Sequence, residues 1–295
     1  MKKPIEYIDR RSGSIVRETV MGDGALRFAY ETLLGKSLSG LLFNTSGLSR
    51  LMGWFYDSPL SRKRISDLTA LPGCCPEEAE LPPEAYKSFN DFFTRKLKQG
   101  ARPFEAETEK LSSPSDGRIL VYEGLAPSDA VPVKGAMRSL NDLCCETLPV
   151  SSLAVAVIRL APVDYHRFHF PCSCVQKSLP VKVKGKYHSV NPVALKVRPD
   201  LFVENTRQIT TLESDVFGSF RYLEVGAFGV GSIIQYTAPG AHEKLSEKGC
   251  FKFGGSTVIL IFDNAKIKWS ADLLQNSASG YETLIRMGET IAAAR

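Results

Sequence analysis

The sequence predicts an α+β protein with a mainly antiparallel β-sheet core and amphipathic helices at its N-terminus. Between about residue 110 and residue 270, short apolar runs recur, bounded by turn-forming residues, as strands do. Ahead of them, between Leu26 and Leu60, leucines and aromatic residues follow near-helical spacing.

In chain order, Leu33, Leu34, Leu38, Leu41 and Leu42 share one helical pattern, and Leu48, Leu51, Met52 and Phe55 repeat it. Gly35, Gly40, Gly47 and Gly53 break the stretch into short helices. On spacing alone these leucines read as helix faces packed on the core. Trp54 and Tyr56 also suit a membrane interface, and Arg62-Lys63-Arg64 could meet anionic headgroups. After the proline-rich, acidic connector Leu71 to Pro83, a helix is expected from Ser88 to about Gln99. Strands are expected at Ile119 to Tyr122, Val131 to Val133, Ala154 to Leu160, Val181 to Lys186, Phe220 to Val225, Ser232 to Tyr236 and Val258 to Phe262. Lys266 to Trp269 should pair next to the last of these, while Ala271 to Gln275 and Tyr281 to Ala294 read as helices. Residues 1–105 thus form a helical region and residues 106–295 a β-rich core.

Composition narrows the class. The net charge of +5 is modest and the basic residues are dispersed, which argues against a nucleic-acid partner. Met1 to Arg11 contains no apolar h-region and no long apolar span follows, so neither a signal peptide nor a transmembrane helix is expected. Seven cysteines, an odd number, argue against a complete disulfide framework. Their adjacent pairs lack the spacing of common zinc sites, so no metal is expected.

Phe253-Gly254-Gly255-Ser256-Thr257 places a hydroxyl directly after two glycines and before an apolar strand. Glycine tolerates strained backbone, which would leave the Gly255 carbonyl open to the Ser256 hydroxyl. Attack would convert the amide to an ester. β-Elimination would then release Gly255 as a new C-terminus and leave dehydroalanine, whose hydrolysis gives a pyruvoyl group. A pyruvoyl carbonyl forms a Schiff base with a substrate amine and accepts electrons from a breaking C–C bond, as pyridoxal phosphate does. The implied chemistry is amino-acid decarboxylation, although Gly-Gly-Ser-Thr is also an ordinary turn before a strand.

A serine nucleophile needs a base, and the base an orienting partner. Of four histidines, His166 and His169 fall together in Asp164-Tyr165-His166-Arg167-Phe168-His169-Phe170-Pro171. On a helical turn, residues three apart would share a face. Asp116, in Ser113-Pro114-Ser115-Asp116-Gly117-Arg118, sits in turn chemistry just before a strand. His188 and His242 invite only a structural reading.

Together these segments resemble the phosphatidylserine decarboxylases, pyruvoyl enzymes that mature by self-cleavage. Residues 113–118 resemble the family's aspartate motif, Tyr165 to His169 its histidine motif and Phe253 to Thr257 its cleavage motif. Glu247-Lys248-Gly249, Phe89 to Phe93 with Arg95, Val225-Gly226-Ala227 and Val230 to Ile233 are also family-like. One departure is Asn205-Thr206-Arg207, where the family usually has Asn-Glu-Arg, followed by an unusually polar stretch read as a loop, Gln208 to Ser214.

The resemblance implies that Ser256 is the self-cleavage nucleophile and pyruvoyl precursor, with His169 its general base and Asp116 the group that orients His169. His166 would serve turnover, holding the substrate carboxylate or delivering a proton after carbon dioxide leaves. Cleavage between Gly255 and Ser256 would give chains of residues 1–255 and 256–295 that stay associated. The substrate implied is phosphatidylserine, reached by peripheral contact at the cytoplasmic face of the cell membrane, by a protein that could form a homodimer. Three alternatives remain: a serine hydrolase, a pyruvoyl decarboxylase of a soluble amino acid, and a catalytically silent lipid-binding protein. The absence of a Gly-x-Ser-x-Gly elbow disfavours the first.

Overall fold

A computed structural model describes residues 5–18, 46–133, 136–183, 206–226, 233–254 and 256–295. The leucines from Leu26 to Leu42, Gly255, His188 and Asn205 lie outside the described residues.

The strands are, in chain order, β1 (Glu6–Asp9), β2 (Ile15–Arg17), β3 (Lys110–Ser112), β4 (Gly117–Leu125), β5 (Ala130–Val133), β6 (Ala136–Ser139) and β7 (Leu153–Leu160). There follow β8 (Arg167–His169), β9 (Cys174–Gln176), β10 (Val181–Val183), β11 (Arg207–Ser214), β12 (Gly218–Gly226) and β13 (Ile233–Gln235). The chain closes with β14 (Gly240–His242), β15 (Glu247–Phe251), β16 (Ser256–Asp263), β17 (Ile267–Trp269), β18 (Glu282–Ile285) and β19 (Thr290–Ala294). Helices are α1 (Ser46–Asp57), α2 (Arg64–Thr69), α3 (Phe89–Phe93), α4 (Leu140–Cys144) and α5 (Ala271–Ala278).

The main sheet runs β14-β9-β11-β12-β16-β7-β4-β18-β1-β2, with β10 also on β11. Its pairs are antiparallel except β1 with β18. The fold class is therefore α+β, as expected. The central strands bury both faces, which is why Val258 to Phe262 reads as an unbroken apolar run. Val258, Leu260 and Phe262 join Phe220, Tyr222 and Trp269 on one face, while Ile259 and Ile261 join Val155, Val157 and Leu223 on the other.

Two smaller sheets fix the surroundings of the site: β13-β15-β8, and β17-β19-β3. The N-terminal helices form a third apolar cluster in which Ile65, Leu68, Phe89, Phe92 and Phe93 pack on Ala161 and Val163, just past the end of β7. Residues 6–17, in the region read as helical, instead add β1 and β2 to the main sheet.

Four expectations are corrected. Tyr281 to Ala294 is not helical but forms β18 and β19, separated by Gly288 at φ 91°. The helix expected from Ser88 to Gln99 ends after Phe93, because Arg95 turns inward to donate to the Val163 carbonyl (3.2 Å) and Leu97 bridges Ala79. The polar stretch Gln208 to Ser214 is no loop: it lies in β11, registered along β12. The fourth concerns the two histidines and follows from the site geometry.

Candidate active site

Ser256 opens β16 with its backbone opposite Gly226 of β12 on one side and Leu160 of β7 on the other. On the far side of β7, Arg118 of β4 faces Arg159, so the turn carrying Asp116 arrives at the same end of the sheet. Adjacent strands lie about 4.8 Å apart, which puts the Asp116 turn two strands, roughly 10 Å, from Ser256. Ser256 is fully buried and its Oγ has no hydrogen-bond partner.

The segment before Ser256 is clamped. Phe253 inserts among Tyr56, Phe89 and Phe93, with ring centroids 4.7, 5.0 and 5.3 Å away. Its N–H donates to Asn90 Oδ1 (3.0 Å), and Lys252 Nζ pairs with Asp57 (2.8 Å). Gly254 has φ 149°, a conformation L side chains rarely adopt, so a glycine is required there. Both residues that grip this segment, Asn90 and Asp57, belong to the N-terminal helices and are joined by a 2.9 Å hydrogen bond.

Beyond Leu160 the chain turns through Ala161 to Asp164, a turn closed by the Asp164 N–H to the Ala161 carbonyl (2.9 Å) and by the Arg118–Asp164 ion pair. His166 follows. Its Nδ1 lies 2.9 Å from the Asp164 carbonyl, which can only accept, so Nδ1 carries the proton and Nε2 is bare. That Nε2 is buried without a partner. Phe93 packs against the ring at 3.8 Å, tilted by 34°, and burial pushes the imidazole pKa down to about 3.

Arg167 to His169 then form β8, which pairs with β15. The two imidazoles therefore do not share a helical turn: His166 lies on the irregular segment before the strand and His169 within it. His169 lies under Tyr165 at 5.8 Å, its Nδ1 buried without a partner. Burial lowers its pKa to about 4, opposed first by the Pro114 carbonyl and then by Asp116.

Backbone bonds tie the motifs together. The His169 N–H donates to the Pro114 carbonyl of the aspartate turn (2.9 Å), and the Phe251 N–H to the His166 carbonyl (2.9 Å). Phe93 touches both His166 and Phe253. Gly249 is required where β15 crosses β8, since a Cβ there would stand 2.1 Å from the Ile234 carbonyl and 2.6 Å from Phe168 Cζ.

Asp116 is buried but does not hydrogen-bond His169. Its carboxylate accepts from Arg102 Nε (3.0 Å), Arg102 Nη2 (2.7 Å) and the Met287 N–H (2.8 Å). Arg102 in turn pairs with Glu78 (2.8 Å), which also holds Arg286 (2.7 Å). Sequence reading assigned no role to these residues, because Arg102, Glu78 and Arg286 meet only through the fold.

A second buried polar group went unseen. Lys248 Nζ, fully buried, contacts Glu224, Thr210 Oγ1 (3.0 Å) and Gln235 Oε1 (2.9 Å) under the Tyr222 ring. Its only sequence signal was the family-like Glu247-Lys248-Gly249. In the Asn205-Thr206-Arg207 departure, Arg207 begins β11, and its Nε donates to the Leu143 carbonyl (2.9 Å). His242 stacks flat on Phe170 at 4.2 Å, in keeping with a structural role.

Residues 89–293 match the family described as phosphatidylserine decarboxylase. The chain is 41% identical over 294 residues to a phosphatidylserine decarboxylase proenzyme of Chlamydia caviae, covering 98% of each chain. It is 40% identical over 293 residues to the proenzyme of that name from Ruminiclostridium cellulolyticum, covering 97% of each. With the one from Chlamydia pneumoniae it shares 41% over 295 residues, 99% of this chain and 97% of the relative.

Proposed function

The chain belongs to the phosphatidylserine decarboxylase family, and from that premise we propose that it cuts itself at Gly255–Ser256 and decarboxylates phosphatidylserine with the pyruvoyl group so made. The observation that carries this reading is that, of the buried polar atoms without hydrogen-bond partners, one falls on each of the three residues to which the motifs assign chemistry at or after cleavage: Ser256 Oγ, His166 Nε2 and His169 Nδ1. Folded proteins rarely leave such atoms unpaired, and those that do often keep them for chemistry.

His169 takes the Ser256 hydroxyl proton as the oxygen attacks the Gly255 carbonyl and the peptide nitrogen is released. With its pKa held to about 4, His169 is neutral at physiological pH and free to act as a base. Loss of the Ser256 Cα proton expels the Gly255 carboxylate, and water converts the dehydroalanine to a pyruvoyl group and ammonia. The residues present fit that group: position 256 is buried and preceded by glycine, and Phe93 packs against both Phe253 of the same segment and the His166 ring, whose Nε2 is bare. When present, the pyruvoyl carbonyl would supply the electron sink for carboxylate loss. His166 Nε2 would hold the substrate carboxylate or the proton returned to carbon.

The site meets a lipid headgroup by peripheral contact at the cytoplasmic face of the cell membrane. Leu51 and Trp54 of α1 are 60% and 64% exposed, and nearby Leu60 is 70% exposed. Among the described residues no helix is long and apolar enough to cross a bilayer.

Intact mass under denaturing conditions, beside a Ser256→Ala chain, tests the proposal. Two fragments from the wild type, the smaller beginning at a pyruvoyl residue, and one uncut chain from the variant are expected. An uncut, folded wild-type chain would overturn it.

A further inference from the structure

The Asp116 carboxylate is the acidic member expected for the cleavage site, yet its strongest partner is not a histidine. Arg102 binds it through a two-point fork, Nε to Oδ1 at 3.0 Å and Nη2 to Oδ2 at 2.7 Å, and the Met287 N–H adds a third bond to Oδ1. A carboxylate offers about four acceptor positions. One therefore remains, on Oδ2, while His169 Nδ1 is a buried group still lacking a partner. The Arg102 side chain is itself buried and braced from behind by Glu78.

On the reading of His169 as the base for Ser256, we infer that Arg102 is a positioning residue for self-cleavage. Its fork fixes the orientation of the Asp116 carboxylate and turns the one remaining acceptor site toward His169 Nδ1. It acts through Asp116 and touches neither Ser256 nor substrate. A lysine, with one point of charge, cannot replace the planar two-point grip. Among the described residues, the other charged or titratable groups that act on this carboxylate or on its partners include Glu78, Cys75 and Arg286 from the N- and C-terminal segments, Asp164 and Tyr165 after β7, and Arg167 beside His169.

The test follows cleavage of freshly synthesised chain against pH for the wild type, Arg102→Gln and Arg102→Lys, with melting temperatures recorded. Without the fork Asp116 loses its fixed orientation, so Arg102→Gln should cleave about a hundredfold or more slowly across the pH range. Arg102→Lys, which keeps the charge but not the two-point grip, should cleave about tenfold or more slowly than the wild type. In uncut Ser256→Ala chains, nitrogen NMR should find His169 protonated at Nδ1 with Arg102 present and shifted toward the other tautomer with Arg102→Gln. Wild-type rates and tautomer in folded variants would overturn the inference, as would slowing of both variants with the Nδ1 tautomer retained. Should Arg102→Gln not fold, Arg102→Lys decides: a wild-type rate removes the role, and a slowed rate at an unchanged melting temperature supports it. A wild-type chain that never cleaves fails the self-cleavage reading first, whereas cleavage indifferent to Arg102 fails this inference alone.

Discussion

Burial sets the working protonation of both histidines. His166 and His169 have pKa values lowered to about 3 and about 4, chiefly because the apolar surroundings disfavour the cation. If neutral His169 is the base, self-cleavage should be flat from pH 8 to pH 6 and decline only below about pH 5, where an ordinary histidine would already titrate near 6.5. Single-turnover cleavage against pH checks this; a midpoint near 6.5 would show that His169 is solvated or is not the base. The same shifts act on stability. The unfolded chain takes up these protons below about pH 6.5 while the folded chain does not, so stability falls with pH from there toward the folded pKa values. Each histidine contributes roughly 1.4 kcal/mol per pH unit across its window. Ser256, His166, His169 and Asp116 could all be picked out from the sequence, because each stands in a short contiguous motif. Arg102 could not, since the only thing that distinguishes it from the other arginines is a partner fourteen positions on.

Among elements, the strands of the core declared themselves wherever burial made them continuously apolar, as in β7 and β16, but not where pairing overrode local pattern. Tyr281 to Ala294 reads locally as a helix, while β-branched Thr283, Ile285, Thr290 and Ile291 and the Gly288 turn favour two strands, β18 and β19, that join different sheets. In β11 the polar residues Gln208 and Thr210 are inward-facing and belong with the Lys248–Glu224 pair brought in by β12 and β15. No local signal marks such residues as core, because their partners come from other strands. That pair makes a testable energetic claim. Burial raises the Glu224 pKa despite Lys248, and its second carboxylate oxygen lacks a partner. Lys248→Met should therefore destabilise the fold by about 3–5 kcal/mol by leaving Glu224 buried and unpaired. Adding Glu224→Gln should recover a large part of that loss in urea unfolding. Equal instability of the single and double variants would place the loss in packing around Tyr222 instead.

At the level of the whole molecule, the N-terminal helical segment presents two faces at one end of the sheet. Its inner face supplies Tyr56, Asn90 and Phe93 to the segment before Ser256, while Leu51, Trp54 and Leu60 remain exposed. Burying one such side chain in a bilayer interface is worth about 1.5–3 kcal/mol. The double variant Leu51→Ser, Trp54→Ser should bind phosphatidylserine vesicles at least tenfold more weakly in a flotation assay while still cutting itself. Unchanged binding would assign membrane contact to another surface. Cutting itself should not divide the molecule. Residues 256–295 supply β16 between β12 and β7, β18 between β4 and β1, and β19 between β3 and β17, so nearly every strand of the short chain pairs with the long one. Arg286 and Met287 add bonds to Glu78 and Asp116 across the same boundary. The fragments should therefore co-elute in size-exclusion chromatography and part only at denaturant concentrations that melt the sheet. Separation in dilute buffer would mean that cleavage reorganises β16, and that the buried geometry around Ser256 belongs to the uncut chain alone.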